Sequence, residues 1–171
     1  MYCNLALFRH PFNDWILTKS NQKATLMIEK DKKHIMRSAE DKGLNIDKKD
    51  IEQYLSAVKE TVGNDRYRLA RNAKRQDNIN LFLDYVIDEA KVKEILLSLT
   101  AMDFSEILQN EHVGYEHERL YVFGKDVKLL ERNGTEEKTV SLYIKFNKLE
   151  NYFVIVISFH EQKHPLTYYF K

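Results

Sequence analysis

Tyr143 and Lys145 stand two residues apart in VSLYIKFN, residues 140–147, a stretch dominated by β-branched and aromatic side chains. His160 closes a second such stretch, YFVIVISFH, residues 152–160. Residues two apart on a strand share a face, so the phenol and the ammonium point to one side of a sheet. The polar segment 148–151 joins the two stretches as strand–turn–strand, and this sets His160 near the mouth of the neighbouring strand. A phenol, an amine and an imidazole on one face suit the cleavage of RNA by its own ribose 2′-hydroxyl. That reaction needs a base for the hydroxyl, positive charge for the phosphorane and an acid for the leaving 5′-oxygen, and it needs no metal. Histidine as a residue type carries a proton either way near neutrality. A phenol or an amine does so only where its surroundings lower its pKa. Lys125, Asp126 and Lys128 precede these strands and add charge. The competing reading is structural: single tyrosines and lysines on strands commonly serve packing or solubility.

A second chemical signal is RYRLARNAKR, residues 66–75, with five basic side chains and no acidic one. Read as a helix, it sets Arg68, Arg71 and Arg75 on one face. With Lys128 they form a candidate phosphate-contacting patch. The alternative is a solvated face balanced by acids elsewhere. Metal chemistry has little support. The single Cys3 cannot build a cysteine zinc site, and His160 and His164 chelate together only on a helix, which Pro165 argues against. His112 and His117 stand apart in a polar stretch. No glycine-rich phosphate loop is present. Neither a metal nor a cofactor is expected.

The elements that must hold these residues follow from composition and periodicity. A chain of 171 residues with 43% apolar and 31% charged content makes one domain, or one core with an appendage. The net charge of +1 does not announce nucleic acid by itself, but residues 119–171 hold 9 basic against 6 acidic side chains. The longest apolar runs are far too short for a membrane span, and the first residues lack the pattern of a signal peptide, so a cytoplasmic protein is expected. In the N-terminal part, 15–17 and 24–28 are short strands or the approach to a helix, and 29–42 reads as a helix ending at Gly43. Asn45 or Asp47 caps a helix carrying Ile51, Leu55, Val58 and Val62. Residues 78–85 form a short helix or turn. Asp88 caps a helix carrying Val92, Ile95, Leu96 and Leu99, with Ile87 as its staple. Thr100 and Asp103 have capping-box spacing, which predicts a further helix with Phe104, Ile107 and Leu108 inward. Residues 110–118 read as a loop. Short strands follow at 120–123 and 126–130, around a turn or bulge at Gly124-Lys125, and a last edge strand at 167–170. The sum is α+β: helices followed by a small antiparallel sheet of four or five strands.

LSLTAMDF at 97–104, Lys125-Asp126-Val127, Leu142-Tyr143-Ile144-Lys145 and Val156-Ile157-Ser158-Phe159-His160 resemble, in order and spacing, the MqsR family of toxin proteins in the RelE-like group. The resemblance covers roughly residues 66–160. It implies a RelE-like α+β domain at 66–171, with residues 1–65 as a mostly helical N-terminal extension. It also implies an mRNA interferase that cuts single-stranded RNA without a metal and is neutralised by a cognate antitoxin protein. Tyr143 and Lys145 fall on the family's tyrosine and lysine, and Lys125 on its glutamine. His160 stands where the family has a lysine, a change that keeps a proton carrier. Glu106 stands where the family has another lysine, a departure that removes a phosphate contact.

Two functions are thus expected. One is a metal-independent endoribonuclease with His160, Tyr143, Lys145 and Lys125 as its catalytic set, and Arg68, Arg71, Arg75 and Lys128 on the RNA. The other is a non-catalytic inhibitor or adaptor that binds nucleic acid or a nucleoprotein on a toxin-like scaffold. A purely structural partner-binding domain is the blandest reading.

Overall fold

Asp47 opens the first helix, its side chain accepting a hydrogen bond from the Lys49 amide at 3.0 Å. This computed structural model describes residues 45–150 and 152–171. The expectations for 15–17, 24–28 and 29–42 lie outside those residues. Helix α1, Lys48–Gly63, buries Ile51, Leu55, Val58, Thr61 and Val62, and Asn64 closes it. It belongs to the compact unit Ile46–Lys171, although the sequence suggested a boundary after residue 65.

Asp65, at φ 57°, turns the chain into β1, Tyr67–Leu69. This corrects the helical reading of the basic run. Tyr67 and Leu69 alternate inward around an exposed Arg68, a period of two that the arginine spacing disguised. Helix α2, Gln76–Asp84, and helix α3, Glu89–Ser98, follow. Asp88 caps α3 by accepting from the Lys91 amide at 2.8 Å, with Ile87 buried just ahead of it. The Thr100–Asp103 box forms as well, the Asp103 carboxylate accepting from the Thr100 amide at 2.8 Å and from its hydroxyl at 2.9 Å. It opens only a single 3-10 turn, Ala101–Asp103, and not the expected helix. The chain then extends as β2, Phe104–Gln109, where edge pairing wins over the local cap.

Strand β3, Arg119–Leu130, is continuous, which corrects the two short strands expected around Gly124. The glycine is needed for another reason. A Cβ there would lie 2.7 Å from the Tyr168 hydroxyl and 2.9 Å from Leu166 Cδ1, so its absence lets residues 162–168 cross the sheet. Strand β4, Glu137–Leu149, and strand β5, Phe153–Glu161, complete the sheet. The order is β1-β5-β4-β3-β2, with β1 parallel to β5 and every other pair antiparallel. Residues 167–170 are not a strand. Instead, the Tyr169 amide donates to the Phe104 carbonyl at 3.0 Å and Ser105 Oγ to the Thr167 carbonyl at 2.7 Å, which ties the segment to β2.

One face of the sheet meets the helices. Phe104, Phe123, Phe146 and Phe159 are its largest fully buried side chains, packed with Leu96, Leu99, Val58 and Val62. Each such side chain contributes about 1.5–3 kcal/mol by leaving water. Among the described residues, no helix is long and apolar enough to cross a membrane.

The other face depends on an irregularity. Lys145 pairs with Ser158, yet Phe146 pairs with Val156, so Ile157 is an extra residue in β5. It shifts the alternation by one: Val154, Val156 and Phe159 face the helices, while Ser158 and His160 face away with Lys145 and Tyr143. Asn78, 1% exposed, braces this bulge. Its amide donates to the Ala70 carbonyl at 2.7 Å and the Ile157 carbonyl at 3.1 Å, and its oxygen accepts from the Phe159 amide at 2.9 Å. One side chain thus takes over the β5 edge where β1 stops. Asn78→Ala should cost about 2–4 kcal/mol in urea unfolding, because it strips partners from buried backbone groups. A loss under about 1 kcal/mol would refute the bracing role.

Candidate functional site

The face turned away from the helices carries Tyr143 and Lys145 from β4 and His160 from β5. Tyr143 pairs with His160 across the two strands, and their rings stack at 5.2 Å between centroids with 16° between planes. His160 Nδ1 lies 2.9 Å from the Glu161 carbonyl. A carbonyl oxygen only accepts, so Nδ1 holds the hydrogen, and Nε2 is the nitrogen left to exchange a proton with a ligand.

Lys145 belongs to a row that crosses four strands. Glu106 of β2 pairs with Val122 of β3, Val122 with Lys145, and Lys145 with Ser158. Val122 and Ser158 are buried, while Glu106, Tyr143 and Lys145 are half-buried. Arg75 reaches the same region from the start of α2. Among the described residues, the Tyr143 hydroxyl, the Lys145 amine, the Glu106 carboxylate and the Arg75 guanidinium have no hydrogen bond or ion pair within the protein. Burial disfavours the charged forms of Lys145 and Tyr143, and none of the four leaves an unpaired polar atom sealed from solvent, so all four stay open to a ligand.

Their ionisation follows from these positions. Burial lowers the Lys145 pKa below the usual lysine value, helped by the neighbouring Arg75 charge and opposed by Glu106 and Glu111. The ammonium is therefore a stronger acid than lysine in water. Burial, with the Glu106 charge second, pushes the Tyr143 phenol up to about 12. Tyr143 therefore stays protonated near neutrality. It is then a hydrogen-bond donor, and its surroundings do not supply the lowered pKa that a phenol needs to act as a base.

The far rim is built by residues 162–168. The Gln162 amide donates to the Ser141 carbonyl at 2.7 Å, and Lys163 pairs with Asp77 at 2.8 Å. The hydrogen bond from Lys163 is the main cause of a lowered Asp77 pKa; burial opposes it, and charge on Lys163 and His160 adds to the lowering.

The other expected site residues disperse. Lys125 faces the helices: on β3 it stands opposite Leu142, and its amine donates to Asp103 at 3.0 Å and to the Ser98 carbonyl at 3.2 Å. Strand alternation removes it from the site, and its charge ties the 3-10 turn to the sheet. Arg68 lies exposed on β1, and Arg71 pairs with Glu89 and covers the Phe82 ring. Of the three arginines only Arg75 reaches the site, because the run they share is not a helix. Lys128 is exposed near the far end of β3, beside a cleft lined by Val86, Lys91 and Arg132. Asn78 and the nearness of Glu106 to Lys145 were missed. A plain strand over 104–109 would set Glu106 on one face with Phe104 and Leu108; the register shift between Phe104 and Glu106 is what turns it onto the site face, beside Val122.

No family model, no curated protein and no solved structure matches the chain. Function has to come from the chemistry of the site. Among the described residues, no group of three or more His, Cys, Asp or Glu side chains is placed to hold a metal ion.

The lowered Lys145 pKa has a measurable sign. The folded state disfavours the ammonium, so the unfolded state binds more protons between the two pKa values, and stability rises with pH across that window. Lys145→Met should stabilise the protein by about 0.5–1 kcal/mol at pH 7. The gain should fade as pH climbs through the folded-state value toward the ordinary 10.5. Thermal melts of both proteins from pH 7 to 11 test this, and a gain that does not fade with pH would contradict it.

Proposed function

We propose that this chain is a metal-independent endoribonuclease, an mRNA interferase of toxin type that cuts single-stranded RNA by attack of a ribose 2′-hydroxyl on the adjacent phosphate. The observation that carries the proposal is the Tyr143–His160 stack beside a half-buried Lys145 that has no hydrogen-bond or ion-pair partner among the described residues. The stack offers a flat ring surface on which a base rests. Lys145 and Arg75 supply the positive charge that a phosphorane demands, and Tyr143 donates a hydrogen bond to a non-bridging oxygen. His160 exchanges a proton through Nε2. The resemblance to MqsR proteins adds a cognate antitoxin protein as partner, and the setting we propose is the cytoplasm.

One observation favours a second reading, a nucleic-acid- or nucleoprotein-binding inhibitor or adaptor that does not cut. Glu106 sets a negative charge beside Lys145, where a phosphate would bind. Under this reading RNA binding survives His160→Ala, and the unaltered protein cleaves nothing.

Purified protein should cleave a long single-stranded RNA in EDTA, leaving 2′,3′-cyclic phosphate and 5′-hydroxyl ends. His160→Ala should slow this at least about 100-fold with the fold intact by circular dichroism. Tyr143→Phe should slow it less, since it keeps the stack and loses one donor. Cleavage abolished by EDTA would sink the metal-independent form. No cleavage of free RNA or in a translating extract, with RNA still bound, would favour the adaptor.

A further inference from the structure

Glu106 is out of place if the site only attracts phosphate. The residue is half-buried on the site face, near enough to Lys145 for their charges to interact, and its carboxylate has no hydrogen bond or ion pair among the described residues. A carboxylate offered as a counterion would close on Lys145, as Asp103 closes on Lys125 at 3.0 Å on the opposite face. Glu106 stays unpaired, with its carboxylate open to solvent and to a ligand.

Register sets its reach. Glu106 and Lys145 share a row across β2, β3 and β4, and His160 stands one row along on β5. Strand spacing separates the Glu106 and Lys145 backbones by roughly 10 Å, a gap that two side chains leaning together narrow to the size of a phosphate. Glu106 and His160 thus flank the Lys145–Tyr143 pair from opposite sides. In-line displacement asks for this layout: a proton acceptor on the side of the attacking oxygen, a donor on the side of the leaving oxygen, and positive charge between them.

Resting on the ribonuclease reading above, we propose that Glu106 is the general base of the reaction and His160 its general acid. The Glu106 carboxylate takes the proton of the 2′-hydroxyl as the 2′-oxygen bonds to phosphorus. The P–O5′ bond breaks, its electron pair leaves on O5′, and the His160 imidazolium gives that oxygen a proton. The products are a 2′,3′-cyclic phosphate and a 5′-hydroxyl, with Glu106 protonated and His160 neutral until both exchange with water. Tyr143 supports the assignment by exclusion, since its phenol, pushed up to about 12, cannot serve as the base.

The test uses the full chain, Glu106→Gln, Glu106→Lys and His160→Ala, on an RNA oligonucleotide and on the same oligonucleotide with a bridging 5′-sulfur at the scissile phosphate. Sulfur leaves without a proton, so the acid becomes dispensable while the base does not. The expected result is a fall in kcat of at least about 100-fold for Glu106→Gln on both substrates, with KM unchanged or lower. His160→Ala should be slow on the natural linkage and near the unaltered rate on the sulfur linkage. Glu106→Lys should bind RNA more tightly and cut no faster than Glu106→Gln. If Glu106 only repels phosphate, both Glu106 variants keep or raise kcat, and the proposal falls while the ribonuclease reading stands. Rescue of Glu106→Gln by sulfur would reverse the roles and also overturn it. An unaltered chain that cleaves neither substrate removes the ribonuclease reading itself.

Discussion

The site exists because β5 contains one residue too many. Without the bulge at Ile157, the alternation that buries Val154 and Val156 would carry Ser158 and His160 into the same apolar layer and turn Phe159 out to water. An imidazole in that layer would lose its hydration, and a phenylalanine would leave the core. The extra residue resolves both conflicts at once. It also leaves backbone groups without strand partners, and Asn78 supplies what they lack. The two-sided character of the sheet thus rests on three hydrogen bonds from one buried amide. No carboxylate could replace it, because two of the three contacts require a donor.

The two faces obey opposite rules. On the helix side, polar groups are satisfied: Lys125 finds Asp103 and the Ser98 carbonyl, and the Tyr54 hydroxyl accepts from the Lys148 amide at 3.2 Å. On the other side, Arg75, Glu106, Tyr143 and Lys145 stand half-buried with their hydrogen-bonding capacity unused among the described residues. There the cost of burial falls on Lys145 and Tyr143, and the aromatic and aliphatic core behind the same strands offsets it. The β3–β4 ladder serves both, its odd and even positions divided between packing and chemistry.

Much of the fold was legible in local pattern. The α1 and α3 stripes, the Asp47 and Asp88 caps, the β4–β5 hairpin and the α+β class follow from periodicity and capping chemistry alone. Long-range competition hid the rest. Residues 67–69 become a strand because β5 offers an edge, and residues 104–109 do so because β3 does, although the Thr100–Asp103 box promised a helix. Gly124 looked like a turn because the segment that demands a glycine is some forty residues further on. Within the site, the shared face of Tyr143 and Lys145 was readable from spacing. That His160 joins them depends on a bulge with no sequence signature, and that Lys125 does not is a matter of parity over an unbroken strand. Glu106 was visible only as a departure from a family pattern, and its position beside Lys145 appears only once β2 is paired.

Residues 162–170 cross the sheet from β5, lie over Gly124 and end against Phe104, while the Tyr169 hydroxyl accepts from the Ile46 amide at 3.1 Å. That contact joins positions 123 residues apart. Synthesis runs from the N-terminus, so α1, β1 and both later helices leave the ribosome long before their core can close. The unit becomes whole only when Phe170 has emerged, and pairings of such long range form slowly. A nascent copy therefore stays open, and without its completed face, until residues 162–170 have been made and can cross the sheet.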